Sequence, residues 1–535
     1  MRRRGNSTTL LFAVVLAGSL VAGCTNDNEP STDSASSPAS TSAPPEPANP
    51  ATVAGVDIPE GRIDDAVGRL DELANELMDS THLPGMAVAV VHGGRTVYAK
   101  GFGVREEGTD EMVDADTVFQ LASLSKPVGS TVVAHEVGTG VVGWDTTVVS
   151  KLPGFALADP WVTEHVTVGD LYSHRSGLPD HAGDGLEDLG NNQQQVLDKL
   201  RLEPLNPFRI TYEYTNFGVT AAAEAVAVAS GTDWATLSER ALYQPLGMDS
   251  TSSRFADFQA RSNRAAGHQL VDGKYVADAV RDPDAQAPAG GVSSSVNDMS
   301  KWLTMLLGDG MFEGKEIVDA KALLPAVSPQ SVSSPPSSLD ARPGFYGYGF
   351  NVSTTSAGRV SLSHSGAFQL GAATNFVAIP SADVAIVALT NGSPTGIPEA
   401  LTAEFADLVQ YGEIREDWRD LYSKAISPML DPEGSLVGKD APANPAPAQP
   451  LPTYTGTYGN AYWGPAVVSE KDGQLTLQLG PAGQTFPLKH WDGNMFTFTP
   501  SGENAPPGTV SEATFAGNNL ILEYYNTDGR GTFVR

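Results

Sequence analysis

Phe119-Gln-Leu-Ala-Ser-Leu-Ser-Lys-Pro-Val-Gly-Ser130 decides the reading of this chain. Pro127 cannot donate a backbone hydrogen bond and is tolerated in the first turn of a helix. A helix running through Thr131, Val132, Val133 and Ala134 therefore starts close to Ser123. Residues three apart on a helix are neighbours, which brings the Lys126 amine within reach of the Ser123 hydroxyl and turns Ser125 elsewhere. A serine becomes a nucleophile when an adjacent base takes its proton, and lysine can be that base once burial or nearby cations lower its pKa. The same spacing arises by chance on helix surfaces, as a capping serine beside a solvated lysine, so its meaning depends on partners elsewhere.

Two further segments supply such partners. In Ile210-Thr-Tyr-Glu-Tyr-Thr-Asn-Phe-Gly218 one residue separates Tyr214 from Asn216, so in an extended loop their side chains share one side. A phenol near a lysine can share its proton and an amide can hold a substrate carbonyl; the competing reading is a core tyrosine followed by a helix cap. In Leu362-Ser-His-Ser-Gly-Ala367, read as a strand, Gly366 lets a substrate backbone approach and the Ala367 amide points toward it. With the Ser123 amide this makes an oxyanion hole.

The rest of the chain frames these segments. Its 535 residues, 41% hydrophobic and 8% aromatic, suit a globular protein of two or more domains. Thirty-three basic against sixty-three acidic residues give a net charge of −30, which repels a phosphate backbone and argues against a nucleic-acid partner. Arg2-Arg-Arg4, the apolar run Leu10 to Ala22 and then Gly23-Cys24 have the order of an export signal, covering residues 1–23. Val21-Ala-Gly-Cys24 resembles a bacterial lipobox, which implies lipid attachment at Cys24 and an extracytoplasmic, membrane-anchored protein; ordinary signal cleavage would instead give a secreted one. Residues 24–56, rich in Ser, Thr, Pro and Ala, read as a disordered tether.

Ile63, Val67, Leu70, Leu73 and Leu77 recur at helical spacing, and Met86 to Val91, Gly93-Gly94 and Thr96 to Gly101 read as a hairpin beneath that helix. Helical and loop patterns fill residues 130 to 340, with a buried helix at Val219 to Ala229. Strand patterns return at Tyr346 to Val352, Arg359 to His364, Ala373 to Ile379 and Val384 to Thr390, and a helix near Glu399 to Tyr411 closes the domain. Strands at both ends with helices between predict an α/β (α+β) sandwich over residues 57–425, an antiparallel sheet flanked by helices. Residues 426–452 read as a linker, Pro/Ala-rich from Ala441. Residues 453–535 alternate in short runs separated by Asp-Gly and Gly-Asn turns, the pattern of about eight strands closing into a small all-β barrel.

On these residues the chain resembles the serine β-lactamase and penicillin-binding-protein superfamily, in its class C β-lactamase and D-alanyl-D-alanine carboxypeptidase branch. Val166-Thr-Val-Gly-Asp-Leu-Tyr-Ser-His-Arg-Ser-Gly-Leu-Pro179, Pro245-Leu-Gly-Met-Asp-Ser-Thr251 and Pro288-Ala-Gly-Gly-Val-Ser-Ser-Ser295 look like that branch's connecting segments, in order, over about residues 60 to 420. The resemblance implies Ser123 as nucleophile, Lys126 as its base, Tyr214 as shared acid and base, and Asn216 as substrate holder. His364 stands first in the third motif, where many relatives carry lysine, and a histidine can be neutral near pH 7. That disfavours β-lactams among three candidate substrates, the others being short acyl esters and D-amino-acid peptides. The C-terminal barrel is similar to the lipocalin-like domain of some such hydrolases. A different class of reading is a cell-envelope ligand sensor with an idle hydrolase fold, against which the full set of Ser123, Lys126, Tyr214 and Asn216 speaks.

The expected partner is a small-molecule or peptide substrate, with no metal and no cofactor required. His165, His174, Asp180 and His181 lack a zinc-site spacing and read as hydrogen-bonding or surface residues. No Gly-x-Ser-x-Gly elbow occurs, which argues against an α/β-hydrolase triad.

Overall fold

A computed structural model describes residues 49–535. The export signal, Cys24 and the tether as far as residue 48 lie outside the described residues. Gly55 and Val56, read as the end of that tether, already belong to the folded body: the Gly55 amide donates to the Ala357 carbonyl at 2.9 Å, and the Val56 carbonyl accepts from Arg359 at 2.6 Å.

The helix expected over residues 63 to 77 is two consecutive helices, α1 (Arg62–Gly68) and α2 (Leu70–Thr81). Ile63, Leu70, Leu73 and Leu77 all face one apolar layer, so the break leaves the stripe intact. That layer lies on the hairpin β1 (Gly85–His92) and β2 (Arg95–Gly103). Its sheet is completed from far along the chain by β3 (Ser331–Ser334), β4 (Gly344–Tyr346), β5 (Asn351–Thr354), β6 (Val360–Phe368), β7 (Ala372–Ile379) and β8 (Val384–Thr390). The spatial order is β2-β1-β8-β7-β6-β5-β4-β3, with every pair antiparallel. Alternation sorts the strands between two cores. Val88 and Val90 meet α1, α2 and the later helix α5 (Ile397–Tyr411), whereas Ala87, Ala89 and Val91 meet the helical region that begins with α3 (Ser125–Gly138) and α4 (Asn216–Ala229).

One strand expectation is corrected. Tyr346 to Val352 is a hairpin, β4 and β5, paired Phe345 to Val352 and Tyr346 to Asn351. Gly349 takes a positive φ of 82°, and the Gly347 amide bonds to the Phe350 carbonyl at 2.8 Å, turning a run of alternating Gly and aromatic residues back on itself.

The C-terminal region is a meander of eight antiparallel strands in chain order, from Gly456–Tyr458 to Thr532–Val534. Its two ends meet where Gly459 and Val534 exchange backbone hydrogen bonds of 2.7 and 2.9 Å, so the barrel is nearly closed. Leu189 of the hydrolase domain is fully buried in the barrel's own core, and Trp463 packs on Gly185. Among the described residues no helix is long and apolar enough to cross a membrane.

Candidate active site

Ser123 sits in the short helical turn Ala122–Leu124, between the strand residues Phe119–Gln120 and α3. The turn is strained: Ala122 has φ of +47°, a region that costs a side-chain-bearing residue energy, and it is held there by Phe368 and Ala372. Pro127 lies in the first turn of α3, and the Ser125 hydroxyl points away from Lys126 to accept the Val292 amide at 2.9 Å.

Lys126 is completely buried. Its Nζ donates to the Asn216 Oδ1 at 2.6 Å and to the Ala289 carbonyl at 3.1 Å, and lies 3.0 Å from the Ser123 Oγ. The first two partners only accept. A neutral amine has two N–H bonds for them and one lone pair, which then faces the serine hydroxyl. Burial lowers the Lys126 pKa to about 7, with Asp184 opposing the shift. The amine is therefore able to receive the Ser123 proton near neutrality.

Tyr214 covers this pair. Its ring centroid is 4.5 Å from the Lys126 Nζ, and its hydroxyl is directed at Ser123. Burial holds the phenol well above its ordinary range, so it rests protonated and can donate. Asn216, the first residue of α4, bridges Lys126 to Asp184, with Nδ2 donating to Asp184 Oδ2 at 2.8 Å. Both ends of the amide are thus engaged inside the protein, leaving the second Nδ2 hydrogen for a substrate carbonyl.

His364 and Gly366 do different work from that expected. The His364 Nδ1 is 2.6 Å from the Ser365 carbonyl and its Nε2 is 2.8 Å from the Tyr346 hydroxyl, so the ring donates through one nitrogen and accepts through the other. Burial, reinforced by Lys126, lowers its pKa to about 3. The ring is neutral and has no free nitrogen for substrate. A Cβ on Gly366 would come within 2.2 Å of the Leu121 carbonyl oxygen and 3.0 Å of the Ser123 nitrogen. The glycine admits the nucleophile's own turn against β6, where sequence reasoning placed the substrate backbone. Pairing between β5 and β6 ends at Asn351 and Ser363, which leaves the edge of β6 past Ser363 without a strand neighbour on that side. Ser123 and Ala367 both line the cavity along this edge, as two converging oxyanion donors require.

The histidines set aside as metal ligands have separate partners. His165 stacks on Trp161, His181 bonds to Asp184 at 2.7 Å, and His174 accepts the Thr215 amide through Nδ1 at 3.1 Å. Among the described residues no group of three or more His, Cys, Asp or Glu side chains is placed to hold a metal ion. Sequence reasoning missed Asp184, which carries no motif, and the Ala289 carbonyl, although its segment Pro288 to Ser295 was singled out.

The cavity over Ser123 measures about 980 Å³ and one wall of it is the barrel, including Trp463, Glu503, Tyr524, Tyr525 and Arg530. The barrel is locked in place by buried polar contacts. Glu503 accepts the Gln369 amide at 2.6 Å, and Asp188 accepts the Glu503 and Asn504 amides at 3.1 and 2.9 Å. Arg281 donates to Glu187 at 2.7 Å and has its Nε 3.9 Å from Glu503, and the barrel's Arg530 pairs with Glu203.

A family model described as Beta-lactamase matches residues 70–410, and one described as a domain of unknown function (DUF3471) matches residues 440–519. The chain is 27% identical over 411 residues to the Unguisins hydrolase ungD' of Aspergillus campestris, covering 74% of this chain and 75% of that protein. It is 23% identical over 257 residues to the D-alanyl-D-alanine-carboxypeptidase/endopeptidase AmpH of Escherichia coli K12, covering 47% of this chain and 64% of that protein. An octameric penicillin-binding protein homologue from Pyrococcus abyssi superposes with a TM-score of 0.57 at 19% identity, covering 88% of this chain and 100% of that one. A class C beta lactamase from Rhodobacter sphaeroides gives 0.53 at 22% identity, covering 64% and 98%.

Proposed function

The chain belongs to the Beta-lactamase family, and on that premise we propose that it is a lipid-anchored, extracytoplasmic serine hydrolase that cleaves ester or amide bonds, D-amino-acid peptides among them, through an acyl-enzyme on Ser123. The observation that carries this reading is the partner set of Lys126, whose two acceptor-only contacts leave its lone pair to the Ser123 hydroxyl.

The Ser123 proton passes to Nζ as Oγ attacks the substrate carbonyl carbon. The carbonyl π electrons move to oxygen, where the Ser123 and Ala367 amides stabilise them. The tetrahedral intermediate collapses, the bond to the leaving group breaks, and Tyr214 donates a proton to the departing atom and regains one from Lys126. Water then gives a proton to the same pair, attacks the acyl carbon, and releases the acid with the proton returned to Oγ. Peptide amides enter as substrates through one relative, named as a D-alanyl-D-alanine-carboxypeptidase/endopeptidase, and hydrolysis through it and a second relative, named as an unguisins hydrolase. The anchor rests on the basic, apolar and Gly-Cys order of residues 2–24.

Hydrolysis of a short-chain p-nitrophenyl ester by the full chain, beside Ser123→Ala, tests the reaction. Turnover lost in the variant is expected; equal rates in both would reject Ser123 as nucleophile. Cys24→Ser should move the protein from the membrane fraction into the medium, and retention would reject the anchor.

A further inference from the structure

The wall of the cavity is strongly biased in charge. Eight of its lining side chains are Asp or Glu and two are Arg. Neither arginine is available to a ligand's anion. Arg281, 92% buried by its 8% exposure, spends its charge on Glu187 at 2.7 Å and Glu503 at 3.9 Å, and Arg530 spends its own on Glu203 and on Asp528 at 2.7 Å. These pairs cross the seam in both directions: an arginine of the hydrolase domain meets a carboxylate of the barrel, and an arginine of the barrel meets a carboxylate of the hydrolase domain. Of the other basic groups near the nucleophile, Lys126 is buried among neutral acceptors, His364 has both nitrogens occupied, and His181 is committed to Asp184 at 2.7 Å. Among the described residues the Arg281 Nε has no hydrogen-bond partner, although the residue lines the cavity beside Glu503. Glu399 lines it too, is buried at 6% exposure, and has an Oε2 without a hydrogen-bond partner among the described residues. The orphaned atoms of this wall therefore include a guanidinium nitrogen shielded by the barrel's carboxylate and an unmatched acid.

We propose that the seam acts as a charge filter: the cleft accepts neutral or ammonium-bearing acyl donors and turns away carboxylate-bearing ones, with Glu503 of the barrel withholding Arg281 from a substrate carboxylate. A carboxylate entering the cavity would meet Glu399 and, among the described residues, no uncommitted cation, so it would lose hydration that no counter-charge replaces. A neutral chain loses nothing comparable, and an ammonium group gains acceptors. Burial already holds the wall's own Glu399 above the usual carboxylate range, the same penalty that a substrate carboxylate would face.

The inference rests on the acyl-transfer reading above, and its test separates the two. The full chain is given three p-nitrophenyl esters of one chain length, those of hexanoic, 6-aminohexanoic and adipic acid, and kcat/KM is compared. The hexanoate and aminohexanoate esters should exceed the adipate ester by about ten-fold or more. Glu503→Gln keeps an acceptor oxygen for the Gln369 amide while removing the charge facing Arg281, and it should raise the adipate-to-hexanoate ratio by about ten-fold. A merely structural role for Glu503, acting through Gln369 on the nearby Ala367 amide, would lower all three rates and leave that ratio alone. An unchanged ratio in a folded variant, or an adipate ester cleaved as fast as hexanoate by the unaltered chain, overturns the filter. If the variant does not fold, the unaltered chain decides: added salt should screen the acidic wall and raise the adipate ratio, and a salt-independent ratio overturns the proposal. Failure to cleave any of the esters would count against the acyl-transfer reading itself.

Discussion

Two buried basic groups in this molecule have opposite surroundings. Lys126 is held by an amide oxygen, a backbone carbonyl and a serine hydroxyl, none of them charged. Arg281, in the wall of the cavity over Ser123, is held by the carboxylates of Glu187 and Glu503. Neutral acceptors do little to offset the cost of burying an ammonium group, and the Lys126 pKa falls to about 7. Carboxylates do offset it, and the Arg281 pKa is raised in spite of burial. The difference in partner charge separates a group that can exchange protons from one that can only hold two domains together.

Replacing each group tests that contrast. Lys126→Met should reduce kcat/KM by roughly ten-thousand-fold with the chain still folded by circular dichroism. Retained turnover would move the base elsewhere. Arg281→Met leaves Glu187 and Glu503 without a counter-charge and should cost about 3–5 kcal/mol of stability, read from the midpoint of urea unfolding. An unmoved midpoint would mean the seam does not depend on this pair. Tyr214→Phe removes the donated proton while keeping the ring over Lys126, and should slow turnover about a hundred-fold; an unaltered rate would exclude the tyrosine from the relay.

The smallest effect is the pH profile. The neutral amine is the competent form, so kcat/KM should fall about ten-fold per pH unit below about 7 and level off above it. The sign for stability follows from the same shift. Between about pH 7 and 10.5 the unfolded chain binds the proton that native Lys126 has released, so this group's contribution to stability rises with pH across that window. A flat activity profile from pH 5 to 8 would contradict the lowered pKa.

Much of this arrangement is legible one segment at a time. The hairpin of Met86 to Gly101, the helix opening beside Ser123 and the eight-stranded meander all follow from short-range periodicity and turn residues, and they stand where that reading put them. The run from Tyr346 to Val352 misled it, because alternating Gly and aromatic residues suit a strand and a tight hairpin equally until Gly349 adopts its positive φ. Gly366 was seen as special for the right reason, close approach, but the approaching backbone is Leu121 to Ser123.

The sequence by itself determined the Ser123 and Lys126 pair, three residues apart, because that contact is a property of one helical turn. Tertiary structure alone decided what the pair can do. The two acceptors that leave the amine neutral come from 90 and 163 residues away, and one of them is a backbone carbonyl that no side-chain pattern announces. The barrel's carboxylate beside Arg281 comes from farther still. Charge and desolvation depend on which groups converge in space, and convergence belongs to the packed chain, whereas periodicity and turn chemistry are written into neighbouring residues.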